Sequence, residues 1–74
     1  MISSTSWPNG NGSLSAREME ILKRLAQGHS TRTIATQLNI SSATVNNHIK
    51  HILTKLHAHT RLEAIRSAER AGVI

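Results

Sequence analysis

From Leu14 onward the aliphatic residues recur at spacings of three and four, and no stretch alternates at a spacing of two. That pattern gathers apolar groups on one side of a helix and offers no strand a buried face, so the chain is confined to an all-α fold. Local signals divide it into four segments. Ser15 and Glu18 form an S-x-x-E capping box, with Leu14 where a hydrophobic staple begins. The first helix then carries Met19, Ile21, Leu22, Leu25 and Ala26 as its apolar side, and Gly28 supplies a left-handed stop. A short second helix starts near Ser30 or Thr31, buries Ile34, Ala35 and Leu38, and ends by Asn39. Ser41 caps a longer third helix whose apolar stripe is Val45, Ile49, Ile52 and Leu56. His57 to Thr60 connect it to a fourth, opened by a second capping box at Thr60 and Glu63, with Leu62, Ala64, Ile65 and Ala68 available for burial and Gly72 as the stop. The spacing predicts helices over about 16–27, 31–38, 42–56 and 61–71.

A chain of 74 residues has room for one small domain that buries only about 60% of its unfolded surface. Cysteine is absent, so no disulfide or thiolate metal site supplements the core, as suits a reducing compartment. The only aromatic residue is Trp7, which removes the stacking platforms that single-stranded nucleic-acid binders use. Residues 1–13, rich in Ser, Gly and Asn, read as a flexible leader or linker, and residues 14–74 as the domain.

Charge points to a polyanion. The net charge is +5, and no acidic residue stands between Glu20 and Glu63, an interval that holds Lys23, Arg24, Arg32, Lys50, Lys55, Arg61 and every histidine. The second and third helices, joined by a turn of three residues, have the helix-turn-helix pattern, in which the second member of the pair enters a DNA major groove. At about 100° per residue, the side of the third helix opposite its apolar stripe is Ala43, Asn47, Lys50 and Thr54, flanked by Asn46 and His51. A merely solvated face mixes acid with base, as the fourth helix does with Arg61, Glu63, Arg66, Glu69 and Arg70. The third helix carries no acid at all.

The segments "LSAREMEILKRLAQG" (Leu14 to Gly28), "IATQLNIS" (Ile34 to Ser41), "TVNNHIKHILTKL" (Thr44 to Leu56) and "RLEA" (Arg61 to Ala64) together resemble the LuxR-type helix-turn-helix domain, the DNA-binding output module of many bacterial response regulators and quorum-sensing regulators. The resemblance implies a four-helix domain whose third helix reads the major groove of double-stranded DNA, with Asn46, Asn47 and Lys50 at its base-contacting positions. It implies phosphate approaches from Thr31, Thr44 and Lys55, to which Arg32, Ser42 and His51 are added as further phosphate contacts. It implies a homodimer contact through the fourth helix near Ala64, Ile65 and Ala68. This chain departs from the family where Asn46 replaces a frequent Lys or Arg, and where Thr31, Arg32 and Thr33 replace a frequent Asn, Lys and Glu. Chemistry supports the base-reading roles: an Asn amide matches the N6 and N7 edge of adenine, and lysine favours guanine. Neutralising about five phosphates per subunit gives log affinity a slope of about −4 to −5 against log salt.

Other activities are disfavoured. A metal site would have to be built from histidine alone, because the chain has no Cys or Asp and its nearest Glu lies beyond the last His. No metal or cofactor is expected. Ser30, Ser41 and Ser42 are accounted for as helix caps, and a triad would need an orienting carboxylate in a pocket, so no enzyme activity is expected. No apolar run reaches the length of a membrane span and no signal peptide is evident, which predicts a cytoplasmic protein. Two classes remain: a sequence-specific regulator dimerising on repeated half-sites, and a helical module that contacts RNA polymerase or a regulatory partner and uses its basic side weakly. The acid-free side of the third helix favours the first. With no Asp to accept a phosphoryl group, control by phosphorylation would come from another domain, and both a fragment of a larger regulator and a stand-alone protein fit the sequence.

Overall fold

The computed structural model describes residues 14–74, so the expected leader over 1–13, with Trp7, lies outside the described residues. Four helices follow in order: α1 (Ala16–Ala26), α2 (Thr31–Leu38), α3 (Ser42–Leu56) and α4 (Arg61–Arg70). No strand occurs among the described residues. The helices match the predicted spans, α1 and α4 each closing one residue sooner because Gln27 and Ala71 already belong to the terminating turn.

All four starts use a side-chain cap. The hydroxyls of Ser15, Ser30, Ser41 and Thr60 accept from the backbone N–H groups of Glu18, Thr33, Thr44 and Glu63. At α1 the box is complete, with Ser15 N donating to Glu18 Oε1 at 2.9 Å. At α4 the return bond is displaced: Glu63 Oε1 accepts from the backbone N–H of His59, not from that of Thr60. The expected second box is therefore only half formed.

All four ends use one device as well. His29, Ile40, Ala58 and Val73 donate from their backbone N–H groups to the carbonyls of Arg24, Ala35, Leu53 and Ala68, five residues earlier. Each bond is made possible by a left-handed residue just before the donor: Gly28 (φ 94°), Asn39 (φ 59°), His57 (φ 53°) and Gly72 (φ 77°). This closure turns the chain back at once and brings Ile40, Ala58 and Val73 against the core.

Apart from the buried carboxylate of Glu18, the core is aliphatic among the described residues. Ile21, Leu22, Ile34, Val45 and Ile52 are fully buried at its centre. α3 packs on each of the other three helices, while α2 and α4 do not touch. Two inward faces differ from the sequence reading. On α1, Ala26 is exposed, and the stripe runs Glu18, Ile21, Leu22, Leu25, with a carboxylate at its first position. On α4, Ala64 and Ala68 are buried, whereas Leu62 is 58% exposed and Ile65 half-buried. The expected dimer role of Ala64 and Ala68 is thereby corrected: their side chains are used up in the domain's own core, and a partner could reach only Ile65 of the three.

With so few core side chains, each one matters. Ile52→Ala should cost about 2–5 kcal/mol through lost transfer energy and the cavity left behind, a large part of a small domain's stability; urea denaturation followed by circular dichroism reads it directly. His57→Gly should stabilise by about 0.5–1 kcal/mol in the same assay, because relief of a left-handed side chain outweighs the entropy that glycine adds to the unfolded chain.

Candidate nucleic-acid interface

The unit formed by α2, α3 and the turn Asn39–Ile40–Ser41 presents one continuous surface. Asn39 takes the left-handed conformation that a short polar side chain tolerates, and Ile40 leans into the core, so α3 leaves the turn at a fixed direction. Arg24 Nη1 donates to Gln37 Oε1 at 2.6 Å and ties α2 to α1 from outside. Val45, Ile49, Ile52 and Leu56 anchor α3 inward. The rotation this imposes leaves Ala43, Asn46, Asn47, Lys50, His51 and Thr54 exposed. Asn46 and Lys50 lie one turn apart, as do Asn47 and His51, and together they make a strip of amides and cationic or titratable groups.

The remaining expected contacts fall at the two helix starts, with one exception. Thr31 is half-buried and Arg32 exposed at the beginning of α2; Ser42 is exposed and Thr44 half-buried at the beginning of α3. The Thr44 hydroxyl lies 2.9 Å from that of Ser41. Lys55 is the exception. It stands in the last turn of α3, and its Nζ donates to Glu18 Oε1 at 2.8 Å, so its ammonium is committed to α1. His48 is half-buried on the flank of α3.

Helix polarity separates this surface from the rest of the domain. The starts of α1 and α4 each hold a carboxylate in their first turn, Glu18 and Glu63, whereas α2 and α3 hold none. Where α1 and α4 read S/T-x-x-E, α2 and α3 read S-x-x-T, and the third-position residues Thr33 and Thr44 meet the capping serines through neutral hydroxyls. A helix start carries a partial positive charge. At α1 and α4 a glutamate compensates it; at α2 and α3 it is open to an outside anion.

Glu18 is the buried charged residue of the core. Burial pushes its carboxyl up, but hydrogen bonds from the Lys55 ammonium and from Ser15, with the Lys55 charge, outweigh this and hold it below its ordinary value. Glu20 is likewise paired, 3.4 Å from Arg24 and 3.7 Å from Arg17.

Comparison with known proteins agrees with this fold. Residues 12–68 match the family described as bacterial regulatory proteins, luxR family. Among curated relatives, the HTH-type transcriptional activator RamA of Corynebacterium glutamicum is 39% identical over 61 residues, covering 82% of this chain and 22% of its own length. The transcriptional regulatory protein DesR of Bacillus subtilis is 44% identical over 59 residues, 80% of this chain and 30% of its own. This chain thus spans less than a third of the length of these relatives. Two solved structures superpose closely: the transcription factor GerE, with TM-score 0.78, 42% identity, and coverage of 81% of this chain and 90% of GerE, and the response regulator ChrA of a heme-sensing two-component system, with TM-score 0.79, 49% identity, and coverage of 82% of this chain and 30% of ChrA.

The Glu18 environment makes stability pH-dependent in a defined direction. A carboxyl held below its unfolded value of 4.5 contributes stability that is fully present above that value and is lost as pH falls through the lower, folded one. Urea midpoints of the wild type should therefore fall on acidification below about 4.5. In Glu18→Gln the midpoint should be lower at neutral pH and the acid-dependent fall smaller.

Proposed function

This chain belongs to the luxR family of bacterial regulatory proteins, and we propose that its α2–turn–α3 unit binds double-stranded DNA sequence-specifically, with α3 in the major groove. In this reading Asn46, Asn47 and Lys50 meet base edges. Asn amides pair with adenine and the Lys50 ammonium with guanine O6 and N7. Thr31, Arg32, Ser42, Thr44 and His51 approach the phosphates on either side, which fixes the register of α3 in the groove.

The observation that carries the reading is the segregation of charge. All four acidic residues lie on α1 and α4, and α2 and α3 combine an acid-free outer face with helix starts left uncompensated by carboxylate. A phosphate backbone laid across this pair meets two positive helix ends and no fixed negative charge.

The functional form is a dimer on repeated half-sites whose separation follows from the subunit geometry. The available surface of α4 is the strip of Leu62, Ile65, Arg66 and Glu69, whose spacings of three and four align them along one side of the helix. Leu62, 58% exposed, is the most exposed apolar residue of that strip.

Fluorescence anisotropy with a site selected from a random DNA pool, against random duplex, tests the reading. Asn47→Ala should cost about 1–3 kcal/mol on the selected site and less on random DNA. Lys50→Ala should weaken binding to both. Thr44→Glu turns the α3 start into a full capping box, so it should preserve or raise thermal stability while weakening DNA binding at least about tenfold through like-charge repulsion. Equal affinity of the wild type and all three variants for the selected site would refute DNA reading by this face.

A further inference from the structure

Lys55 stands out because it is a cation in the proposed DNA-reading helix whose charge is already spent. Its Nζ lies 2.8 Å from Glu18 Oε1, across a sequence separation of 37 residues. The two ends of the pair are unequal: the Glu18 side chain is 7% exposed and that of Lys55 39%. Glu18 is also held independently of Lys55, since the same Oε1 accepts from Ser15 N in the α1 capping box. It also occupies the first position of the inward stripe of α1, ahead of Ile21, Leu22 and Leu25. The lysine therefore docks onto an acceptor whose rotamer is set by a cap on one side and by core packing on the other.

Geometry on α3 separates Lys55 from the reading strip. Five residues beyond Lys50, at about 100° per residue, Lys55 points about 140° away from it, onto the flank that faces α1. The apolar anchors Val45, Ile49, Ile52 and Leu56 hold α3 to the core by contacts that are not directional. A directional, charge-assisted bond at the last turn of α3 adds to the rotation they impose a tighter hold on the angle about the helix axis and on the position along it.

On the reading that α3 enters the major groove, we infer that Lys55 is a positioning residue and not a phosphate contact. By bonding to Glu18 it locks α3 against the first turn of α1 and so sets the angle at which Asn47 and Lys50 meet base edges. This revises the expectation for Lys55 drawn from the family resemblance.

The salt dependence of binding separates the two roles. A lysine that neutralises a phosphate contributes about 0.9 to the slope of log affinity against log salt on any DNA. A positioning lysine contributes nothing to that slope and acts on discrimination. Affinities of wild type, Lys55→Met, Glu18→Gln and the double variant would be measured on the selected site and on random duplex between about 50 and 200 mM salt. Positioning predicts three results: Lys55→Met keeps the wild-type slope on random DNA, both single variants lower the ratio of selected-site to random affinity by about five- to tenfold, and the double variant lowers it no further, as for two halves of one interaction. Lys55→Arg, which can still reach the carboxylate, should restore most of the ratio. Amide resonances of residues 44–50 in the free protein should shift alike in the two single variants.

A slope reduced by about one in Lys55→Met on both DNAs, with Glu18→Gln binding normally, would overturn the inference. So would an unchanged ratio in Lys55→Met. If Glu18→Gln does not fold at the assay temperature, Lys55→Met against Lys55→Arg decides alone, because both leave the α1 cap intact. A wild type without preference for its selected site would remove the underlying DNA-reading proposal, an outcome distinct from a preference that survives loss of Lys55.

Discussion

Everything in this domain depends on one helix having to satisfy two surfaces at once. α3 gives Val45, Ile49, Ile52 and Leu56 to the core and packs on each of the other three helices. Its opposite side is a row of exposed amides and Lys50. Because α-helical side chains are locked to the backbone rotation, burying the first set decides where the second set points. α1, α2 and α4 thus act as a cradle that fixes a single rotational setting. In the proposed reading, a helix turned by one residue in a groove about 12 Å wide would present Asn46 or His48 in place of Asn47.

A chain with no disulfide, and with no aromatic side chain among its described residues, achieves that setting with short, sharply bounded helices. Every start is held by a hydroxyl cap, and every end by a left-handed residue and a bond reaching back five residues. Helices of eight to fifteen residues are marginal in isolation, so the caps contribute in two ways: they satisfy backbone groups that the small core cannot cover, and they remove the fraying that would let α3 shift along its axis. The same caps set the electrostatics. Glutamate at the third position closes α1 and α4, and threonine leaves α2 and α3 open.

Most of this was legible in the sequence where a residue type has one physical use. Ser15 with Glu18, Ser41, Gly28 and Gly72 announce helix boundaries because few other positions favour them, and the α3 stripe follows from spacing alone. The outward placement of Asn46, Asn47 and Lys50 followed from that stripe. What escaped had two physical uses. Glu18 reads as a cap, yet extending the stripe of Ile21, Leu22 and Leu25 back by one turn lands on it, the available sign that this carboxylate would be buried and need a cation. Lys55 reads as a phosphate ligand because its partner is 37 residues away. Ala64 and Ala68 suit either a partner or a core, and Leu62 looked the more buried on hydrophobicity. The reverse holds because small alanines face inward on α4 while leucine is left outside. The left-handed conformation of His57 is not legible in the sequence, since only a small minority of histidines adopt it although the residue is enriched there among non-glycines.

The distribution of acid then explains why a weakly charged surface can still favour a polyanion. Glu18 is neutralised by Lys55 and Glu20 by two arginines, and Glu63 is turned toward the backbone of His59. The α2–α3 unit needs few cations because nothing on it opposes them: with Lys55 engaged, Arg32 and Lys50 are its free cationic side chains. Two side-chain charges and two helix ends make a modest field, and a modest field suits selectivity. Each phosphate neutralised adds affinity for every sequence equally, so a large count would raise non-specific binding. In the proposed reading, a domain that draws attraction partly from fixed helix dipoles and offers amides to the groove leaves a larger share of its binding energy to the base edges, where sequences differ.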